Sequence, residues 1–118
     1  MSGKRILYVC YDPALVLARE SALLSKGYDI STVLGQDGLM AAKDVGDYDL
    51  ILIGDEGSLA ERCNSIRLLK EQYFPHPIIA LCHGVEHIPD ADYQISTGAP
   101  KPWFDAVGDC IRQYQNLV

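Results

Sequence analysis

The sequence predicts a single α/β domain built on a parallel sheet, and three observations carry that expectation. Short β-rich runs alternate with stretches of helical apolar spacing, the pattern of successive βα units. The run Tyr48-Asp49-Leu50-Ile51-Leu52-Ile53 reads as a buried parallel strand that gives way abruptly to Gly54-Asp55-Glu56-Gly57. Start and stop residues also fall where such units need them.

The first strand is expected over 5–10. Asp12-Pro13 then supplies an N-cap and a proline at the first helical position. The helix behind it runs through Leu15, Ala18 and Ala22 and stops at Lys26-Gly27, a base in the last turn followed by a C-terminal glycine. A second strand is expected over 28–33, and Asp37 is the expected cap of a short helix through Leu39, Met40, Ala42 and Val45. After the third strand, Ser58-Leu59-Ala60-Glu61 has capping-box spacing. Leu59, Cys63, Ile66, Leu69 and Tyr73 then recur at three- and four-residue intervals as one stripe, and Pro75-His76-Pro77 ends the helix.

The fourth strand is Ile78-Ile79-Ala80-Leu81-Cys82. Between 82 and 92 there is room for a helix, but Gly84, Pro89 and scattered polar residues make a poor one. An irregular connection with at most about a turn of helix is expected. The fifth strand falls over 92–96, followed by the long exit loop Thr97-Gly98-Ala99-Pro100. A last helix places Phe104, Val107, Ile111, Tyr114 and Leu117 on one face.

Composition narrows the function. The 118 residues suit one domain, 1–118, able to bury a core without disulfides or metals. Ten basic against sixteen acidic side chains give a net charge of -6, which argues against a nucleic-acid groove or an anionic membrane as partner. No apolar run approaches the roughly 20 residues that cross a bilayer, and no cleavage-type leader is legible after Lys4-Arg5. Cys10, Cys63, Cys82 and Cys110 lack the spacing of a zinc site or a disulfide framework, so a cytoplasmic protein with reduced thiols is expected.

Taken in order, several local words resemble the bacterial response-regulator receiver domain of the CheY type. They are Ile6-Leu7-Tyr8-Val9 with Asp12-Pro13, Lys26-Gly27-Tyr28-Asp29, Gly35-Gln36-Asp37-Gly38, Tyr48 to Ile53, Pro77-Ile78-Ile79-Ala80-Leu81 and Lys101-Pro102-Trp103-Phe104. The resemblance implies a flavodoxin-like three-layer sandwich, a five-stranded parallel sheet in order 2-1-3-4-5 with its fourth helix shortened or irregular. It also implies a place in two-component or phosphorelay signalling, beside signalling-protein partners. With the chain stopping at the fifth helix, no output domain is expected.

In that family, two acidic residues after the first strand and an aspartate after the third hold Mg²⁺. The last of these accepts a phosphoryl group from a histidine kinase, and a Ser or Thr and a Lys read the phosphate. Three carboxylates chelate a hard cation that offsets the transferring charge. Here the acidic pair is Cys10 and Tyr11, the acceptor position is Gly54, and the Ser or Thr position is Cys82 followed by His83. Only Lys101 is retained. The resemblance therefore implies a stand-alone, non-enzymatic pseudo-receiver with no cofactor, acting through protein contact. Its interaction surface is expected over 82–92, the fifth strand and the last helix, with His87, Tyr93 and Trp103 as candidate contacts. Family members also form weak homodimers through that side.

Other readings stand beside it. Asp12 and Asp55 each lie one residue beyond a family carboxylate position, so paired slips would make Asp12 a Mg²⁺ ligand and Asp55 a phosphoacceptor. Without such slips, Asp12 caps the first helix, Asp55 is a solvated loop acid, and Lys101 pairs with Asp55, Asp12 or Glu56. A thiol- or metal-dependent protein would use Cys10, Cys82 and His83, with Glu86, His87 and Asp90 completing a metal-like cluster. Cys10 as a phosphatase-type thiolate is disfavoured, because Tyr11-Asp12-Pro13 offers no N–H cradle and Arg19 lies well inside the helix. Cys10 and Cys82 flank the third strand, roughly 9–10 Å apart and too far for a disulfide. Finally, Tyr11, Cys82 and Lys101 would line the crevice where ligands bind in this architecture.

Overall fold

The computed structural model describes residues 4–42, 44–72, 74–84 and 86–116. Five strands, β1 (Arg5–Cys10), β2 (Asp29–Leu34), β3 (Leu50–Ile53), β4 (Ile78–Cys82) and β5 (Tyr93–Ser96), form one sheet in order β2-β1-β3-β4-β5. All four pairings are parallel, so every strand delivers its C-terminal end to the same edge. Around the sheet pack α1 (Val16–Leu24), α2 (Gly35–Ala41), α3 (Leu59–Glu71) and α4 (Trp103–Asn116). This is the flavodoxin-like arrangement that the receiver resemblance implies.

The central strands β1, β3 and β4 are buried almost throughout, because helices cover both faces and no residue is left to face water. Alternation of side chains sorts the core into two layers. Ile6, Tyr8, Cys10, Leu50, Leu52, Ile79 and Leu81 face one side, with Leu23 of α1 and Val107 of α4. Leu7, Val9, Ile51, Ile53, Ile78, Ala80 and Cys82 face the other, with Leu39 of α2 and Ile66 and Leu69 of α3.

Local signals act as read at most boundaries. Asp12 accepts a hydrogen bond from the Ala14 N–H at 3.0 Å and caps a 3-10 turn, Pro13–Leu15, that leads into α1. Gly27 takes φ +88°, the left-handed conformation that ends the helix. Ser58 and Glu61 form a reciprocal capping box on α3.

Two expectations change. Asp37 is not a cap: α2 begins two residues earlier at Gly35, whose φ of +65° makes the sharp turn out of β2, and Asp37 sits in the first turn, where its charge complements the helix N-terminus. Val45 leaves α2 for a separate 3-10 turn, Val45–Asp47. Among the described residues between β4 and β5 there is no helix, in keeping with the helix-poor composition of that stretch. On α1 only Leu23 is buried, while Leu17 is 77% exposed. Tyr73, Leu117 and the stretch 1–3 lie outside the described residues. No helix among those described is long and apolar enough to cross a membrane.

The capping box gives a direct check. Ser58→Ala should cost about 1 kcal/mol in denaturant unfolding, whereas Leu17→Ser, altering a surface side chain, should stay within about 0.5 kcal/mol.

Candidate functional site

At the carboxyl edge of the sheet, the loops leaving β1, β3, β4 and β5 converge on one charged cluster. Its centre is Arg19. From the first part of α1 its long side chain reaches over the end of β1, so that its guanidinium lies 2.7 Å from Asp55 Oδ1 and 3.1 Å from Glu56 Oε2. Both carboxylates are buried: side-chain exposure is 2% for Asp55 and 3% for Glu56.

Each acid has further partners. Asp55 Oδ2 accepts from the Thr97 hydroxyl at 2.8 Å, and the Asp55 carbonyl lies 3.0 Å from His83 Nε2. The same imidazole nitrogen is 3.4 Å from Asp55 Oδ2. Glu56 accepts from the buried Tyr8 hydroxyl and, at 3.1 Å, from the Tyr11 backbone N–H. Arg19 also stacks over the Trp103 ring, 5.5 Å from its centroid. Among the described residues no buried side-chain polar atom lacks a partner.

Burial pushes the Asp55 carboxyl up, but the hydrogen bonds from Arg19 and Thr97 outweigh it and hold it below the ordinary value of 3.8. Burial also pushes the Cys10 thiol up, and its sulfur donates to the Asp12 carbonyl at 3.1 Å. That is the condition of an unreactive thiol.

A second ion pair closes the irregular segment after β4. Arg62 of α3, 2% exposed, makes a two-pronged contact with Glu86 at 3.0 and 2.6 Å. The Arg62 Nε–H donates to the Gly57 carbonyl at 3.1 Å, and Glu86 Oε1 accepts from the His83 N–H at 2.9 Å. The guanidinium hydrogen bond draws the Glu86 carboxyl down to about 2. This pair ties α3, the loop after β3 and the loop after β4 together, and so fixes His83 beside Asp55.

Two glycines make the geometry feasible. A Cβ at Gly54 would fall inside the Glu56 carboxylate, within 2.9 Å of Cδ. At Gly57 it would come within 2.7 Å of the Tyr11 ring, which packs on the α2–α3 layer and donates its hydroxyl to Ser65 Oγ at 2.8 Å. Burial raises the Tyr11 phenol to about 12.

Several expectations are corrected by this arrangement. Asp55 is not a solvated loop acid; it is 3% exposed and paired with Arg19. Lys101 does not join Asp55, Asp12 or Glu56. It turns along α4 to Asp109, because Arg19 already supplies the cation at the crevice. Arg19, set aside as helix interior, reaches the crevice through the length of its side chain. Cys10 and Cys82 belong to opposite core layers, with β3 between them, so they cannot work on one substrate together with His83. The cluster of Cys82, His83, Glu86, His87 and Asp90 does not assemble. Cys82 Sγ is directed at the Ile95 carbonyl, Glu86 is taken by Arg62, and His87 and Asp90 are exposed. Among the described residues no three His, Cys, Asp or Glu side chains group as a metal site. Asp12 and Asp55 do not converge either: one caps a turn and the other faces Arg19. Tyr93 and Trp103 are half-buried. Cys63 and Cys110 are partly buried free thiols packed against the core layers.

No family model matches the sequence, and no curated protein matches it. Solved structures do match in fold. Response regulator TrrA from Thermotoga maritima in complex with Mg²⁺-BeF is similar at TM-score 0.74 and 21% identity, covering 93% of this chain and 97% of that one. TrrA in complex with histidine kinase ThkA gives TM-score 0.73 at the same identity and coverage. A CheY-like response regulator receiver domain from Methanospirillum hungatei gives TM-score 0.72 at 17% identity, covering 98% and 95%. At these identities the likeness establishes the fold.

Arg19→Met should destabilise the chain by about 3–5 kcal/mol, the usual effect of stranding a buried charge, here two adjacent ones. The acid response follows from Asp55 and Glu86, both depressed in the folded chain. Their stabilisation is complete above the ordinary values of 3.8 and 4.5 and is lost as pH falls toward about 2 for Glu86. Unfolding followed by circular dichroism should therefore set in below pH 4.5, and Glu86→Gln should flatten that dependence.

Proposed function

We propose that this chain is a receiver-type protein-interaction module of two-component or phosphorelay signalling that acts without aspartyl phosphorylation and without catalysis. One observation carries the reading: a guanidinium already sits between two buried carboxylates at the sheet edge, where a phosphorylated receiver would need a metal ion and an open acceptor.

The residues do not fit Mg²⁺. A hard cation wants oxygen ligands, and the ligand positions hold Cys10, Tyr11 and Gly54. The shifted acids do not replace them as a pair, since Arg19 holds Asp55 and Asp12 caps the turn after β1 through Oδ1. A phosphoryl group on Asp55 would also have to displace both Arg19 and Thr97 from a side chain with 2% exposure. The thiol reading has no support in the geometry, with Cys10 raised by burial and remote from Cys82 across β3.

The partner is a signalling protein. TrrA, similar in fold, is itself captured with a histidine kinase. The proposed contact surface remains the segment 82–92, β5 and α4. Of its candidate contacts His87 is exposed and Tyr93 half-buried, while Trp103 serves chiefly as the platform under Arg19.

The test is incubation with Mg²⁺ and a small-molecule phosphodonor, read by intact mass beside an Asp55→Asn variant and a phosphorylatable receiver. No adduct is expected on this chain while the control reacts. An adduct that disappears in Asp55→Asn would make Asp55 the acceptor and end the proposal.

A further inference from the structure

We propose that the niche around Glu56 is a carboxylate-binding site whose resident ligand is the chain's own side chain, built where a residue-54 side chain would otherwise project. The donors come from three separate segments: the Tyr8 hydroxyl from β1, the Tyr11 backbone N–H from the loop after β1, and the Arg19 guanidinium from α1. None of them is local in sequence to Glu56, so the niche is made by the fold and not by the 54–57 turn.

Both oxygens are engaged, Oε1 by Tyr11 N–H and Oε2 by Tyr8 and Arg19. That division of donors between two in-plane oxygens suits a planar carboxylate. Tyr8 is fully buried, and burial followed by the Glu56 hydrogen bond pushes its phenol far up, so it remains a donor at any working pH.

The overlap at Gly54 defines the niche from the other side. A Cβ at 54 would meet Oε1, Cδ and Oε2 of Glu56 at once. Glu56 therefore approaches from the C-terminal side of the turn into the space that a side chain on 54 would enter from the strand. One space can take only one of them, so Gly54 and Glu56 are a matched pair. An oxyanion from solution enters only when Glu56 is removed. This inference stands on the cluster itself and holds whichever partner the chain binds.

The experiment is chemical rescue. Glu56→Ala is measured by thermal unfolding in formate, in phosphate and in chloride at equal ionic strength. Formate should raise the variant's Tm progressively with concentration, as ligand linkage requires, while leaving the wild type where chloride leaves it. The added change Arg19→Met should abolish the rise. A formate response equal in variant and wild type, its absence in the variant, its persistence without Arg19, or rescue by phosphate alone would overturn the proposal. Should Glu56→Ala fail to fold, the transplant Gly54→Asp with Glu56→Gly decides. It should be more stable than Glu56→Gly alone, because the carboxylate is resupplied from the strand. A double variant folding no better than the single one would also overturn the assignment.

Discussion

The sharing of one guanidinium between Asp55 and Glu56 is the constraint on which the carboxyl edge of this molecule depends. Two carboxylates side by side, each almost fully withdrawn from water, repel one another and cannot be buried without a compensating charge. Arg19 supplies that charge to both at once through a single guanidinium nitrogen, Nη1. The Trp103 ring stacks on the guanidinium, and Tyr8, Tyr11 and Thr97 donate further hydrogen bonds to the two acids. The result is a crevice filled by its own side chains. Two surface clefts lie elsewhere, one at the amino edge beside Lys4, His76 and Tyr114 and another between Lys26 and Arg112.

The rest of the edge serves the same cluster. The parallel sheet brings four strand ends to one place, and β1 and β3 pair with Val9 opposite Ile53, so that the Gly54 N–H donates to the Val9 carbonyl at 2.9 Å. The glycines at 54 and 57 remove the two side chains that would collide with Glu56 and with Tyr11. The pair of buried Arg62 with Glu86 then fixes the loop after β4, which brings His83 to the Asp55 carbonyl. The region is cross-tied from α3 by Arg62 and from β5 by Gln94, whose amide bonds the Glu86 carbonyl and the Ile88 N–H.

How far this was legible differs between fold and site. The strands, the caps at Asp12 and Ser58, and the helix stop at Gly27 follow from local rules acting over a few residues. They emerge from the pattern directly, and the full strand order came with the receiver resemblance. That Cys10, Tyr11 and Gly54 stand where the receiver resemblance would put acids was equally plain. The Arg19 cluster was not, because it depends on reach across the fold. An arginine one turn into a helix looks like any solvated arginine until the helix is docked on β1. Arg62 sits among apolar positions of α3 with no neighbour in sequence to suggest its burial. The only hints were two acids in a row flanked by glycines, Gly54-Asp55-Glu56-Gly57, an arrangement that asks for a cation from elsewhere. Lys101 was the nearer candidate by family position, and Asp109 on α4 claims it instead.

The central claim is that Arg19 takes the place of a metal ion at this edge, and Trp103 offers a direct view of it. It is the single tryptophan in the chain and lies under the Arg19 guanidinium. Its fluorescence should be followed through a Mg²⁺ titration into the millimolar range, with ionic strength held constant. The account predicts a flat response. A saturable change, lost in Asp55→Asn, would show that a cation displaces the guanidinium and would contradict it.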